Sequence, residues 1–210
     1  MLDRPISALI KPVLVPLAKG LQRLGLSANQ VTLGGFFIGL FAAFLIANHA
    51  YLMGATALFT SRLCDALDGA LARLTQATDA GGFLDITLDF LFYASIPLAF
   101  AFANPAHNAL AAAVLLAAFV GTGSSFLAFA VIAAKRSTSD TNSPSSLGAL
   151  ETPGKSFYFL GGLTEATETL AFFAAMCIWP QHFAVLAYVF AALCGLTIAT
   201  RIGWGWRTFS

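Results

Sequence analysis

The chain has 210 residues, of which 58% are hydrophobic and only 10% charged, with 20 Phe against 11 Lys plus Arg and a mean hydropathy of +0.79. A water-soluble protein carries roughly 25% charged residues to cover its surface, so most of this outer surface must face hydrocarbon, and an all-α integral membrane protein is expected. The net charge of +1 excludes a nucleic-acid partner, which needs a concentrated basic face. Cys64, Cys177 and Cys194 are spaced too widely for a disulfide framework or a thiolate metal site.

Met1 to about Leu26 places Ile6, Leu9, Ile10, Val13, Leu14, Leu17, Leu21 and Leu24 on one helical face, with Arg4, Lys11, Lys19 and Arg23 interleaved. That pattern predicts a helix lying on the membrane, broken or kinked at Pro5, Pro12 and Pro16. It is too charged for the apolar core of a signal peptide. Six apolar stretches follow, about Val31–Ala47, Tyr51–Leu74, Gly81–Ala103, Ala109–Ala134, Phe157–Trp179 and His182–Thr200, and each can span hydrocarbon. The expected organisation is an amphipathic juxtamembrane segment at 1–30 and one six-helix transmembrane domain at 31–210. Lys135–Ser156, rich in Ser, Thr, Asn, Pro and Gly, reads as the one long polar loop.

All Lys and Arg fall in the amino-terminal segment, at the shared end of the second and third spans, in the long loop or near the carboxyl terminus. The loops around His49, His107 and His182 carry none. The positive-inside rule therefore predicts both termini and the long loop to be cytoplasmic.

Carboxylates are rare within spans, since an Asp at a helix centre costs about 2.5 to 3.5 kcal/mol on insertion scales. Here Asp65 and Asp68 are three residues apart near the end of one span, and Asp85 and Asp89 four apart near the start of the next. Each pair shares a helical face, and at about 1.5 Å per residue both lie roughly 6 to 12 Å from the intervening turn. Converging carboxylates repel and take up protons unless a cation holds them, and an oxygen-only cluster suits Mg²⁺ or Mn²⁺. Gly69 clears side-chain space beside Asp68, and Arg73 offers a fork of donors suited to phosphate. Metal, glycine and arginine together read as a diphosphate site.

The run Asp65-x2-Asp68-Gly69-x2-Ala72-Arg73-x7-Gly81-x3-Asp85-x3-Asp89 resembles the signature of the CDP-alcohol phosphotransferases (CDP-alcohol phosphatidyltransferases), six-helix membrane enzymes of phospholipid synthesis. All eight fixed positions match, with a spacer one residue shorter than is usual in that family. The resemblance implies that Asp65, Asp68 and Asp85 bind the metal, that Asp89 completes a second metal position and acts as general base, and that Gly69 and Arg73, with Asp65, contact the CDP moiety. Gly81 would shape the turn. It further implies a pair of Mg²⁺ or Mn²⁺ ions, a CDP-linked lipid donor such as CDP-diacylglycerol, a hydroxyl acceptor, release of CMP, and residence in a bacterial inner membrane with the site facing the cytoplasm.

Outside the signature the readings stay double. Arg62, one turn before Asp65, is read as an ion pair steadying the acids or as a substrate contact, and Asn29 and Thr32 as helix caps or nucleotide contacts. Lys135, Arg136, Lys155 and Arg201 either bind an acceptor or lipid phosphate or set orientation against anionic head groups. Glu165 and Glu168 stand evenly between a functional role and pairing with Arg62 or Arg201. Gly35, Gly39, Gly121 and Gly123 permit close helix contact inside the bundle or in a homodimer. The rival classes are an ion-coupled transporter using the acids as a cation site, which would scatter them along a path, and an aspartate-rich prenyltransferase, which would lack the Gly and Ala-Arg elements.

Overall fold

The computed structural model describes residues 3–139 and 166–210, and of residues 3–9, 11 and 137–139 the backbone alone. They form helices α1 (Asp3–Arg23), α2 (Ala28–Ala47), α3 (Tyr51–Leu74), α4 (Asp79–Ala103), α5 (Pro105–Ser139), α6 (Ala166–Ile178) and α7 (Phe183–Phe209), with a 3-10 turn at Pro180–His182. The protein is an all-helical membrane protein. Four helical segments, Ala28–Ala47, Asp79–Ala103, Pro105–Arg136 and Pro180–Phe209, are long and apolar enough to cross a membrane. The 24-residue α3 owes its lower hydropathy to Arg62, Asp65, Asp68 and Arg73, the residues on which the site rests. Lys155 and Glu165, most of the long loop and the start of the fifth predicted span lie outside the described residues.

Local chemistry accounts for the ends. Ser27 caps α2 in a reciprocal box: its hydroxyl accepts from the Gln30 amide at 3.3 Å, and its own amide donates to Gln30 Oε1 at 2.9 Å. The cap is therefore Ser27, while Asn29 and Thr32 sit inside the helix. Thr78 caps α4 by accepting from the Gly81 amide at 3.1 Å. α1 runs through Pro12 and Pro16 as a single helix, unbroken at either proline, where a break or a kink was expected. Its Leu14 and Ala18 are buried with Ala70 and Leu71 of α3, and this packing offsets the hydrogen bonds that proline removes.

Two apolar clusters frame a polar layer. The larger joins Ala42 and Ile46 of α2, Leu58 of α3, Phe92, Ile96 and Phe100 of α4, and residues of α5, α6 and α7, at the end of the bundle away from the α3–α4 turn. Its rings stack, Phe100 on Phe183 with centroids 4.6 Å apart and Phe172 on Phe190 at 4.5 Å. The smaller cluster lies under α1 near that turn. The acids of α3 and α4 fall between them. The glycines work inside the bundle: Gly35 approaches Cys64 of α3, Gly121 meets Ile198 of α7, and Gly123 meets Phe90 of α4. Phe37, Phe41 and Phe44 remain exposed on α2, as a lipid-facing side requires.

Candidate active site

The antiparallel course of α3 and α4 brings the two acid pairs to one depth. One carboxylate oxygen each from Asp65, Asp68 and Asp85 lies within 4.8 Å of the others. Asp68 is buried, 4% exposed, and its Oδ2 has no hydrogen-bond partner among the described residues. An orphaned buried carboxylate oxygen is costly, and in an oxygen-only trio it fits a hard divalent cation. The three residues present are thus suited to the group that the sequence implies.

Asp89 stands beside this trio and faces Arg62. Arg62 Nη1 donates to Asp89 Oδ1 at 2.6 Å and to Asp65 Oδ1 at 3.4 Å. The ion-pair reading of Arg62 is the one the geometry carries, and the pair reaches across helices as well as along α3. A narrow cleft is lined by Thr32, Gly35, Ser61, Arg62, Asp65, Asp85 and Asp89. On the other side of Asp89 opens a cavity of about 660 Å³ between α4, α5, α6 and α7, walled by residues that include Phe90, Tyr93, Phe119, Thr122 and Arg201. Among the described residues Asp89 alone borders both spaces.

Gly69 and Arg73 behave as a unit. A Cβ on Gly69 would lie 3.4 Å from Arg73 Nη1, so the exposed guanidinium folds back over the glycine beside Asp68. Gly81 is tied to α2, since a Cβ there would lie 2.9 Å from Asn29 Oδ1 and 3.1 Å from Thr78 Oγ1. A side chain there would displace the Asn29 amide and the Thr78 hydroxyl that caps α4. Asn29 thereby acquires a site-shaping position that its sequence neighbourhood does not reveal.

The basic residues part company. Arg201 borders the large cavity and donates from Nη1 to the Thr122 carbonyl at 3.0 Å. Arg136 instead donates to the carbonyls of Thr208 and Phe209 at 3.0 and 2.5 Å, closing the end of α7 against α5. Lys135 is exposed near the end of α5, and Glu168 is half-buried in the first turn of α6. Sequence reasoning missed the union of Arg62 with Asp89, which are 27 positions apart. The one signal was an arginine placed within a span, one turn before the first of its two acids.

Comparison with known proteins agrees with this geometry. Residues 26–199 match the family described as CDP-alcohol phosphatidyltransferase. The chain is 48% identical over 211 residues to the inner membrane protein YnjF of Escherichia coli, covering 99% of this chain and 97% of that one. It is 41% identical over 88 residues to an archaetidylinositol phosphate synthase of Pyrococcus horikoshii, covering 41% of this chain and 47% of the relative. Its fold resembles the phosphatidylinositol phosphate synthase of Mycobacterium tuberculosis with CDP-DAG bound, with a TM-score of 0.65 at 22% identity over 93% of this chain and 94% of that one. The same enzyme in complex with manganese and citrate gives 0.63 at 23% identity, over 92% and 88% of the two chains. A family match that spans most of the sequence, around an aspartate trio able to hold a divalent ion, makes this chain a membrane enzyme of the CDP-alcohol phosphatidyltransferase family.

Proposed function

We propose that the protein transfers a phosphatidyl group from a CDP-linked lipid, CDP-diacylglycerol, to the hydroxyl of an acceptor alcohol, with release of CMP, in phospholipid synthesis. The observation that carries this reading is the convergence of Asp65, Asp68 and Asp85 within 4.8 Å, with a buried Asp68 oxygen left over. Asp65, Asp68 and Asp85 would hold Mg²⁺ or Mn²⁺, and Asp89 would complete a second metal position. When bound, the ions neutralise the diphosphate and stabilise the leaving phosphate. Gly69 lets the donor approach the backbone, and Arg73, folded over it, pairs with phosphate oxygens as a fork of donors.

The acceptor oxygen attacks the phosphorus bearing the diacylglycerol. The new oxygen–phosphorus bond forms as the bond to CMP breaks, and Asp89 takes the hydroxyl proton. Asp89 borders both the acid cleft and the 660 Å³ cavity, which suits a base working between a donor on one side and an acceptor on the other. Arg201, on the cavity wall, is the described cation best placed to meet an acceptor or lipid phosphate, and exposed Lys135 adds positive charge at the cytoplasmic surface.

In the bilayer we place six spans, α2 to α7, and α1 on the cytoplasmic surface. Both termini and the site then face the cytoplasm of a bacterial inner membrane. The relatives' names suggest phosphorylated inositol among the acceptors to be tried. The test is CMP release from CDP-diacylglycerol by purified protein with Mg²⁺ or Mn²⁺, with glycerol 3-phosphate, serine, inositol, inositol phosphate and a phospholipid added one at a time. Release with one acceptor, abolished by a chelator, supports the reading. No release with any of them contradicts it.

A further inference from the structure

Arg62 lies outside the family signature, yet the bundle is built around it. Its side chain is 10% exposed, and a guanidinium buried at membrane depth is costly unless it is paired and packed. Each of three helices contributes to its seat. From α4, the Phe92 ring lies under the guanidinium carbon, 3.8 Å from centroid to carbon, and Tyr93 stands at 5.5 Å. From α3, Ser61 Oγ accepts from Arg62 Nη2 at 3.3 Å, and the same hydroxyl donates to the Gly35 carbonyl of α2 at 2.7 Å. The fork then presents Nη1 to Asp89 and Asp65. Phe92 is fully buried, so the platform under the cation cannot drift.

We propose that Arg62 is a positioning residue for the transfer reaction: it fixes the Asp89 carboxylate at the junction of the acid cleft and the large cavity. The inference rests on the reading of Asp89 as the base. A lone carboxylate on the first half of α4 would be free to swing toward the trio. The 2.6 Å bond to a cation seated on Phe92 holds it where both spaces meet. A misplacement on the order of 1 Å costs about 100-fold in rate, so the seat matters to the chemical step more than to binding. Arg62 also competes with a metal for Asp65, so its removal should not weaken metal binding.

The test uses full-length protein in detergent with CDP-diacylglycerol, Mn²⁺ and the acceptor that gives turnover. Arg62→Met keeps a flexible unbranched stem and removes the charged head group. Its expected kcat is lower by about 100-fold, with donor KM and the half-saturating Mn²⁺ concentration not raised by more than about threefold, and Arg62→Lys recovers part of the rate. The double variant Arg62→Met with Asp89→Asn should be no slower than Asp89→Asn alone, because residues acting through one another are not additive. Wild-type kcat in Arg62→Met, or full multiplication of the two losses, overturns the proposal. If Arg62→Met does not fold, Arg62→Lys decides: a kcat below wild type at unchanged donor KM and melting temperature supports the role, and wild-type kcat overturns it. Failure of the underlying reading looks different, since full turnover by Asp89→Asn removes the base and this proposal together. An unaffected Arg62→Met beside an inactive Asp89→Asn removes only the proposal.

Discussion

Gly39 of α2 lies against Phe92 of α4 so closely that a Cβ would stand 2.5 Å from Phe92 Cδ2 and 2.9 Å from Ser61 Oγ. Phe92 carries the Arg62 guanidinium and Ser61 accepts from it, so one absent methyl group supports both contacts. Gly39→Ala should therefore destabilise the protein by about 1 to 3 kcal/mol, the usual cost of overpacking, and lower kcat as well. Thermal unfolding in detergent alongside CMP release checks both. A variant with unchanged melting and rate would show that the ring yields freely.

Asp89→Asn keeps the size of the side chain and its place in the bundle but cannot accept a proton. Turnover should fall by about 10²- to 10⁴-fold, the range typical of general bases. Donor affinity should change little, because Asp65, Asp68 and Asp85 still hold an ion for the diphosphate while the proton transfer belongs to the chemical step. Steady-state kinetics with equilibrium binding of CDP-diacylglycerol separates the two, and near wild-type kcat would remove Asp89 from that role.

The acid pairs were legible in the sequence because i, i+3 and i, i+4 spacings place side chains on one face whatever the bundle does around them. Tyr51–Leu74 is bounded in the structure where hydropathy and charge predict. Two spans proved clearly longer: α5 runs from Pro105 to Ser139 and α7 to Phe209, past the apolar stretches predicted at Ala109–Ala134 and to about Thr200. Polar terminal turns are held by partners that no local pattern encodes, as Arg136 holds the carbonyls of Thr208 and Phe209. The same holds for Arg62, whose near partner Asp65 follows from spacing and whose closer partner Asp89 follows only from the packing of α3 on α4. Asn29 against Gly81 is likewise a contact between helices.

Arg136 offers a contrast within the basic set. Its hydrogen bonds end on α7 and its guanidinium sits 5.0 Å from the Phe209 ring centroid. Arg136→Ala should cost about 1 kcal/mol of stability, as expected for charge-assisted bonds near water, and leave kcat and donor KM unchanged. Melting and CMP release measured together test this. A large loss of activity at unchanged stability would return Arg136 to the substrate.

Orientation has its own test. Thr75, exposed at the end of α3, sits two residues beyond Arg73, on the side where the positive-inside rule puts the cytoplasm. Thr75→Cys, in a variant lacking Cys64, Cys177 and Cys194, should react with an impermeant thiol reagent in inside-out vesicles and not in intact cells. Bound CDP should slow the reaction. Labelling from outside intact cells would invert the topology.

The central claim is that the aspartate trio holds the donor through a divalent ion, and equilibrium binding of CDP-diacylglycerol measures this directly. Wild-type protein should bind the donor in Mn²⁺ and release it when the ion is chelated, because the diphosphate is held through the metal. Asp68→Ala, which deletes the buried acid whose Oδ2 has no partner among the described residues, should lose the Mn²⁺-dependent binding while keeping its fold by thermal unfolding. Donor binding that persists in a chelator, or that stays Mn²⁺-dependent at wild-type affinity in folded Asp68→Ala, would contradict the account.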